Sequence, residues 1–129
     1  MENYGLPRDR IYNSRNTSFK MDLLHATAGR GVDIVLNSLS GNLLHASWEC
    51  VAKFGRMIEL GKRDFISHGI LDMSIFEANR AFLGVDLAQV CTETPDVLKR
   101  FVRNGLKNFK ANEFQYFGNI FRLVSPRIN

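Results

Sequence analysis

The sequence predicts an α/β fold, a parallel sheet with helices on its flanks. Three observations carry that reading. Three short apolar runs, Val32–Leu36, Arg56–Gly61 and Ala81–Leu87, are each bounded or broken by glycine, as strands buried on both faces are. They alternate with stretches whose apolar residues recur at helical spacing. The first run also passes at once into small polar residues, Asn37, Ser38 and Ser40. In open α/β sheets ligands bind just beyond the carboxyl ends of the strands, so this tail marks a ligand edge.

The elements follow in order. Residues 1–8 are polar and read as a loop or a cut end. Arg10-Ile11-Tyr12-Asn13 is β-like and fits an edge strand. Asn16-Thr17 offers N-cap chemistry for a helix over Ser18–Ala28, which Gly29 and Gly31 end. The strand Val32–Leu36 comes next. Ser40 is the natural cap for a second helix, Asn42–Lys53, whose Leu44, Trp48, Val51 and Ala52 share one face. Gly55 stops that helix, and Arg56–Gly61 is the following strand. Residues 62–80 are a long connection with a weak helix over Met73–Asn79. Ala81–Leu87 is the next strand. Thr94-Pro95-Asp96 opens a last helix, with Leu98, Phe101, Val102, Leu106 and Phe109 on one face. Beyond Ala111 the apolar residues fit neither period. This alternation implies parallel βαβ units and a partial Rossmann-like sheet. A dinucleotide-binding domain opens with strand, G-x-G-x-x-G and helix, and no such motif occurs in these residues.

Composition narrows the function. At 129 residues and 45% apolar content the chain is sized for one domain with a real core. No stretch is apolar enough for a membrane span and the N-terminus has no signal-peptide character, so a cytoplasmic protein without a membrane partner is expected. Cys50 and Cys91 are far apart, and His25, His45 and His68 are scattered; no metal site is predicted. Cys50, Trp48 and the phenylalanines read as core. The net charge of +4 comes mostly from seven basic residues against one acid from Lys99 onward. No zinc finger, glycine-lysine loop or aromatic RNA-binding motif accompanies them, so no nucleic-acid partner is expected.

Gly29–Gly41, Leu44-His45-Ala46-Ser47 and Phe54–Phe65 resemble the enoyl reductase domain of iterative polyketide synthases, fungal highly reducing enzymes above all. Asn13–Phe19, Phe76–Arg80 and Phe82–Leu87 are similar to the same domain in the same order. The resemblance covers residues 9–106 and implies a zinc-free medium-chain dehydrogenase/reductase. It further implies NADPH-dependent reduction of an α,β-unsaturated acyl thioester, a polyketide chain borne on an acyl carrier protein. It matches the second half of the family's nucleotide-binding domain, without the glycine-rich turn or the GroES-like domain. Ile120-Phe121-Arg122 resembles the family's A-F-R helix.

The resemblance also assigns residues. It sets Asn37, Ser38 and Leu39 against the nicotinamide and its ribose; the plain alternative is a strand-to-helix turn capped by Ser40. Lys62, after the strand-end Gly61, matches a proposed proton donor or enolate stabiliser; the alternative is a solvated lysine, with Asp64 as a candidate ion-pair partner. Asp86 matches the second proposed donor of modular polyketide reductases, or is a simple cap. Leu83, Gly84 and Val85 offer backbone groups to the carboxamide. Ser14 and Arg15 stand where relatives meet the adenosine 2′-phosphate, or form a surface turn. The chain is thus expected to be one partial NADP-binding domain, inactive by itself because the pyrophosphate lacks its helix N-terminus. The rival readings are a non-catalytic association module, dimerising through the Phe82–Leu87 strand, and a complete small oxidoreductase.

Overall fold

A computed structural model describes residues 11–110 and 120–123. The elements are α1 (Ser18–Ala26), β1 (Val32–Asn37), α2 (Asn42–Glu49), β2 (Val51–Glu59), α3 (Arg63–Ile66), a 3-10 turn (Met73–Ala78), β3 (Ala81–Gly84), α4 (Leu87–Glu93), α5 (Pro95–Lys110) and β4 (Ile120–Leu123). The four strands form one parallel sheet in the order β3-β2-β1-β4. The predicted α/β class with a parallel, Rossmann-like sheet is therefore what the chain adopts. The chain steps outward from β1 to β2 and β3, then returns to the other side of β1 with β4. That reversal of direction beside β1 is a topological switch point, where such sheets open a crevice for ligands.

The core lies on one face of the sheet. Strand periodicity aims Val35 of β1 and Met57 of β2 the same way, and the ladder pairs Val35 with Met57 and Met57 with Phe82. Trp48 of α2 closes over them, fully buried, with its ring 5.0 Å from Phe76 and 5.7 Å edge-on from Phe82. Phe19 and Leu23 extend the same core from α1, and Tyr12 packs against it. Cys50 is buried there too, and desolvation pushes its thiol up to about 12.

Several boundaries differ from the sequence reading. Residues 11–13 form no strand, and Arg10 lies outside the described residues. The Asn13 side chain instead accepts from Arg15 N–H, which turns the backbone toward α1. α1 ends at Ala26, two residues before the predicted Ala28, and Ala28 and Gly29 then take left-handed φ values of 50° and 78°. The cap of α2 is Gly41, not Ser40; its N–H is received by the Asp64 carboxylate at 3.0 Å, far along the chain.

α2 also stops at Glu49, and Val51–Lys53 belong to β2 rather than to the helix. Gly55 does not end an element; it sits inside β2 at a register shift. Between Val32↔Val51 and Ile34↔Arg56 the ladder skips, and Phe54 bulges out at φ 62°. A Cβ on Gly55 would fall 2.9 Å from Asp33 O, so only glycine fits this bulge. β3 is shorter than predicted, ending at Gly84, because Asp86 starts the unpredicted α4. The residues compared with an A-F-R helix lie instead in β4, paired in parallel with β1.

Candidate active site

The carboxyl ends of β1, β2 and β3 converge on one cluster of polar groups. Ladder register pairs Asn37 of β1 with Glu59 of β2, and Glu59 with Gly84 of β3. The faces alternate, so Asn37 follows Val35 and Glu59 follows Met57 onto the buried side. Both side chains are buried, at 0% and 1% exposure. The Asn37 amide donates to a Glu59 carboxylate oxygen and, at 2.8 Å, to the Leu39 carbonyl. The other Glu59 oxygen accepts the Gly61 N–H at 2.5 Å. Asn37 Oδ1 has no donor among the described residues.

Past these buried groups the chain emerges to an ion pair. Lys62 Nζ lies 2.7 Å from Asp86 Oδ2, each side chain less than half exposed, at 45% and 35%. The pair bridges the turn after β2 and the turn after β3. Asp86 also caps α4 by accepting from Gln89 N–H at 3.1 Å. The cap reading of Asp86 is therefore what the structure shows, with the same carboxylate paired to Lys62. Asp64 is not the partner of Lys62; its carboxylate is occupied by Gly41 N–H. The Lys62 ammonium, through its hydrogen bond, and then the Gln89 N–H hold the Asp86 carboxyl below its ordinary value.

The other predicted residues fall as follows. Ser38 and Leu39 continue directly from the end of β1, with Leu39 buried. Leu83 and Gly84 close β3, and Val85 N–H is held by the Glu59 carbonyl at 2.9 Å. The Phe65 ring lies over Gly84, where a Cβ would meet it at 2.9 Å. Ser14 and Arg15 precede α1; that helix runs back to the start of β1, so its own start faces the carboxyl end of the sheet. Sequence reasoning missed Glu59. Its one trace was a charged residue on the inward phase of the Met57-Ile58-Glu59 run.

Burial governs Glu59. Desolvation raises its carboxyl above the ordinary 4.5, outweighing the Asn37 and Gly61 hydrogen bonds that pull it down, with the Asp64 charge adding to the rise. A carboxyl with a raised folded value stabilises the protein fully below its unfolded value, and that contribution is lost as pH rises through the folded value. Asp86 and Asp72, both lowered, act oppositely and lose their contribution only as pH falls through their depressed values, below 3.8. The urea midpoint is therefore expected to rise as pH is lowered through the raised Glu59 value toward the ordinary 4.5, then to fall in acid below 3.8. Glu59→Gln should flatten the rise and leave the acid limb.

Residues 6–116 match the family model described as zinc-binding dehydrogenase. The highly reducing polyketide synthase g433 of Fusarium sp is 53% identical over 115 residues, covering 89% of this chain and 5% of that protein. FUM1 of Gibberella moniliformis, also a highly reducing polyketide synthase, is 64% identical over 89 residues, 69% of this chain and 3% of that protein. This chain thus spans a twentieth or less of those relatives. Among solved structures, the nucleotide-binding subdomain of the enoylreductase domain of PpsC from Mycobacterium tuberculosis superposes with a TM-score of 0.67. It is 31% identical, over 78% of this chain and 56% of that one. The family's description mentions zinc, yet among the described residues no three His, Cys, Asp or Glu side chains are grouped to hold a metal ion. The described residues thus offer no zinc ligand set. The match of 6–116 to the family model, on a parallel sheet shared with polyketide synthase enoyl reductases, shows that this chain belongs to the zinc-binding dehydrogenase family.

Proposed function

We propose that these residues form the second half of the nucleotide-binding domain of an enoyl reductase, which reduces a carrier-bound α,β-unsaturated acyl thioester with NADPH. The observation that carries the reading is the Lys62–Asp86 pair at the joined ends of β2 and β3, beside the switch point at β1. The donor set suits the cofactor's nicotinamide end. Asn37 Oδ1 is an unmatched buried acceptor, of the kind a carboxamide or ribose hydroxyl satisfies.

NADPH, when bound, supplies the hydride to the β-carbon. Asn37, Ser38, Leu39 and Gly61 would hold its ribose and ring, and Leu83, Gly84 and Val85 its carboxamide. Ser14 and Arg15 would meet the 2′-phosphate, for which a guanidinium is geometrically suited. The Lys62 ammonium neutralises charge that develops on the thioester oxygen and stands ready to pass a proton toward the α-carbon. Asp86 fixes the position of that ammonium through their 2.7 Å ion pair. The 129 residues contain no G-x-G-x-x-G turn for the pyrophosphate, so the isolated chain is not expected to bind NADPH at micromolar concentration.

The test is a chimera. Residues 9–106 replace the matching stretch of the Fusarium synthase, and NADPH oxidation is followed with a short enoyl thioester. Retained, thioester-dependent oxidation supports the reading; a folded chimera that oxidises no NADPH contradicts it.

A second reading, association through the sheet edge, is favoured by one observation. β3 is an outer strand of the sheet, and Leu83 on it is 48% exposed. Leu83→Lys is expected to lower the mass measured by light scattering from dimer to monomer. An unchanged mass removes that edge as an interface.

A further inference from the structure

Glu59 has a position that the reductase reading does not use. Its side chain and its backbone reach, separately, the two turns that carry the ion pair. The carboxylate accepts the N–H of Gly61, one residue before Lys62. The carbonyl accepts the N–H of Val85, one residue before Asp86. Its other carboxylate oxygen takes the Asn37 amide, whose second proton holds the Leu39 carbonyl beyond β1. One residue therefore ties together the ends of three adjacent strands. A carboxylate at 1% exposure with no cationic partner among the described ion pairs is costly to bury. An apolar residue of similar size would fill the same space at less cost, so packing alone does not account for an acid here.

We infer that Glu59 is the positioning residue of the Lys62–Asp86 pair, setting the turn after β2 through its carboxylate and the turn after β3 through its backbone. Glutamine cannot substitute. Its oxygen can still receive Gly61 N–H, but its amide then points N–H groups at the Asn37 amide, donor against donor. Rotating Asn37 to relieve that clash would turn its oxygen toward the Leu39 carbonyl. Glutamine therefore cannot keep the Gly61, Asn37 and Leu39 hydrogen bonds together, so the Gly61 turn is held less firmly and Lys62 loses its fixed reach to Asp86. Asp64, the other acid near this cluster, is held by Gly41 and cannot replace Glu59.

The role rests on the reductase reading, but its test does not depend on reduction. The readout is the titration of the Asp86 carboxyl in the full 129-residue chain, followed by carbon NMR. Lys62→Met fixes the value without the pair, expected to move up toward the ordinary 3.8. Glu59→Gln is expected to move the Asp86 midpoint at least halfway to that value while the amide spectrum stays folded. Gly61→Ala is the second variant. Its Cβ would sit 2.6 Å from Glu59 Oε1 and so displaces the carboxylate without removing its charge. The same shift in Asp86 is expected, and this variant decides if Glu59→Gln does not fold. An Asp86 midpoint equal to the parent's in a folded variant overturns the proposal. Unfolding of both variants also overturns it, by assigning Glu59 to the core alone. Failure of the chimera with the Asp86 shift intact would remove the reductase reading and keep the positioning one.

Discussion

Trp48→Ala is expected to cost this chain about 4 kcal/mol, the largest loss from any single truncation in its core. Trp48 is fully buried and is the largest side chain so enclosed. It joins α2 to the sheet through Phe82 and to the connection between β2 and β3 through Phe76. Removing it opens a void that two aromatic rings and the Val35–Met57 face cannot collapse to fill. Against a total stability of about 5–15 kcal/mol for a domain, such a loss is visible directly in the urea midpoint. Trp48→Phe separates packing from polarity. Trp48 Nε1–H has no acceptor among the described residues, so phenylalanine gives up ring area but removes a buried orphan donor. Its expected cost is less than half that of alanine. Equal costs for the two would contradict this division, because a phenyl ring would then recover none of the packing that alanine loses.

Where the sequence could be read, one period dominated locally. Val32–Asn37 is short, apolar and enclosed by Gly31 and small polar residues, and it is a strand almost as predicted. Pro95 and Asp96 opened α5 where helix-start chemistry put it. The α2–β2 junction was misread because Val51 and Ala52, both buried, fit the helical face as well as the apolar start of a strand. Nothing local distinguishes them; the ladder to Val32 does. Gly55 looked like a stop because a bulge and a helix terminus both call for glycine. The Asp64 cap on Gly41 and the Lys62–Asp86 pair depend on contacts across more than twenty residues of sequence, which periodicity does not encode. Asp86 and Lys62 were nonetheless named from a resemblance that spans both turns. Glu59 was not, since a lone acid in a strand carries no motif. β4 lay in residues where the apolar pattern matched no period, and its placement beside β1 is a property of the sheet, not of its own four residues.

The second large effect concerns chemistry. Lys62→Met retains most of the lysine's aliphatic stem and removes its charge. If the ammonium stabilises the developing oxyanion, its loss costs turnover about 100- to 1,000-fold, the range seen when one such group is removed. NADPH affinity should change little, because the assigned ring, ribose and phosphate contacts lie on other residues. Asp86→Asn acts through the same pair, so the double variant should fall no further than the worse single one. The measurement is single-turnover enoyl reduction by the chimera that carries residues 9–106, with and without Lys62→Met, alongside NADPH binding to each. A drop in turnover of about 100-fold or more at unchanged NADPH affinity is the predicted result. Turnover within about 3-fold of the parent chimera, less than 1 kcal/mol in the barrier, would contradict the assignment of this strand end as the reducing site.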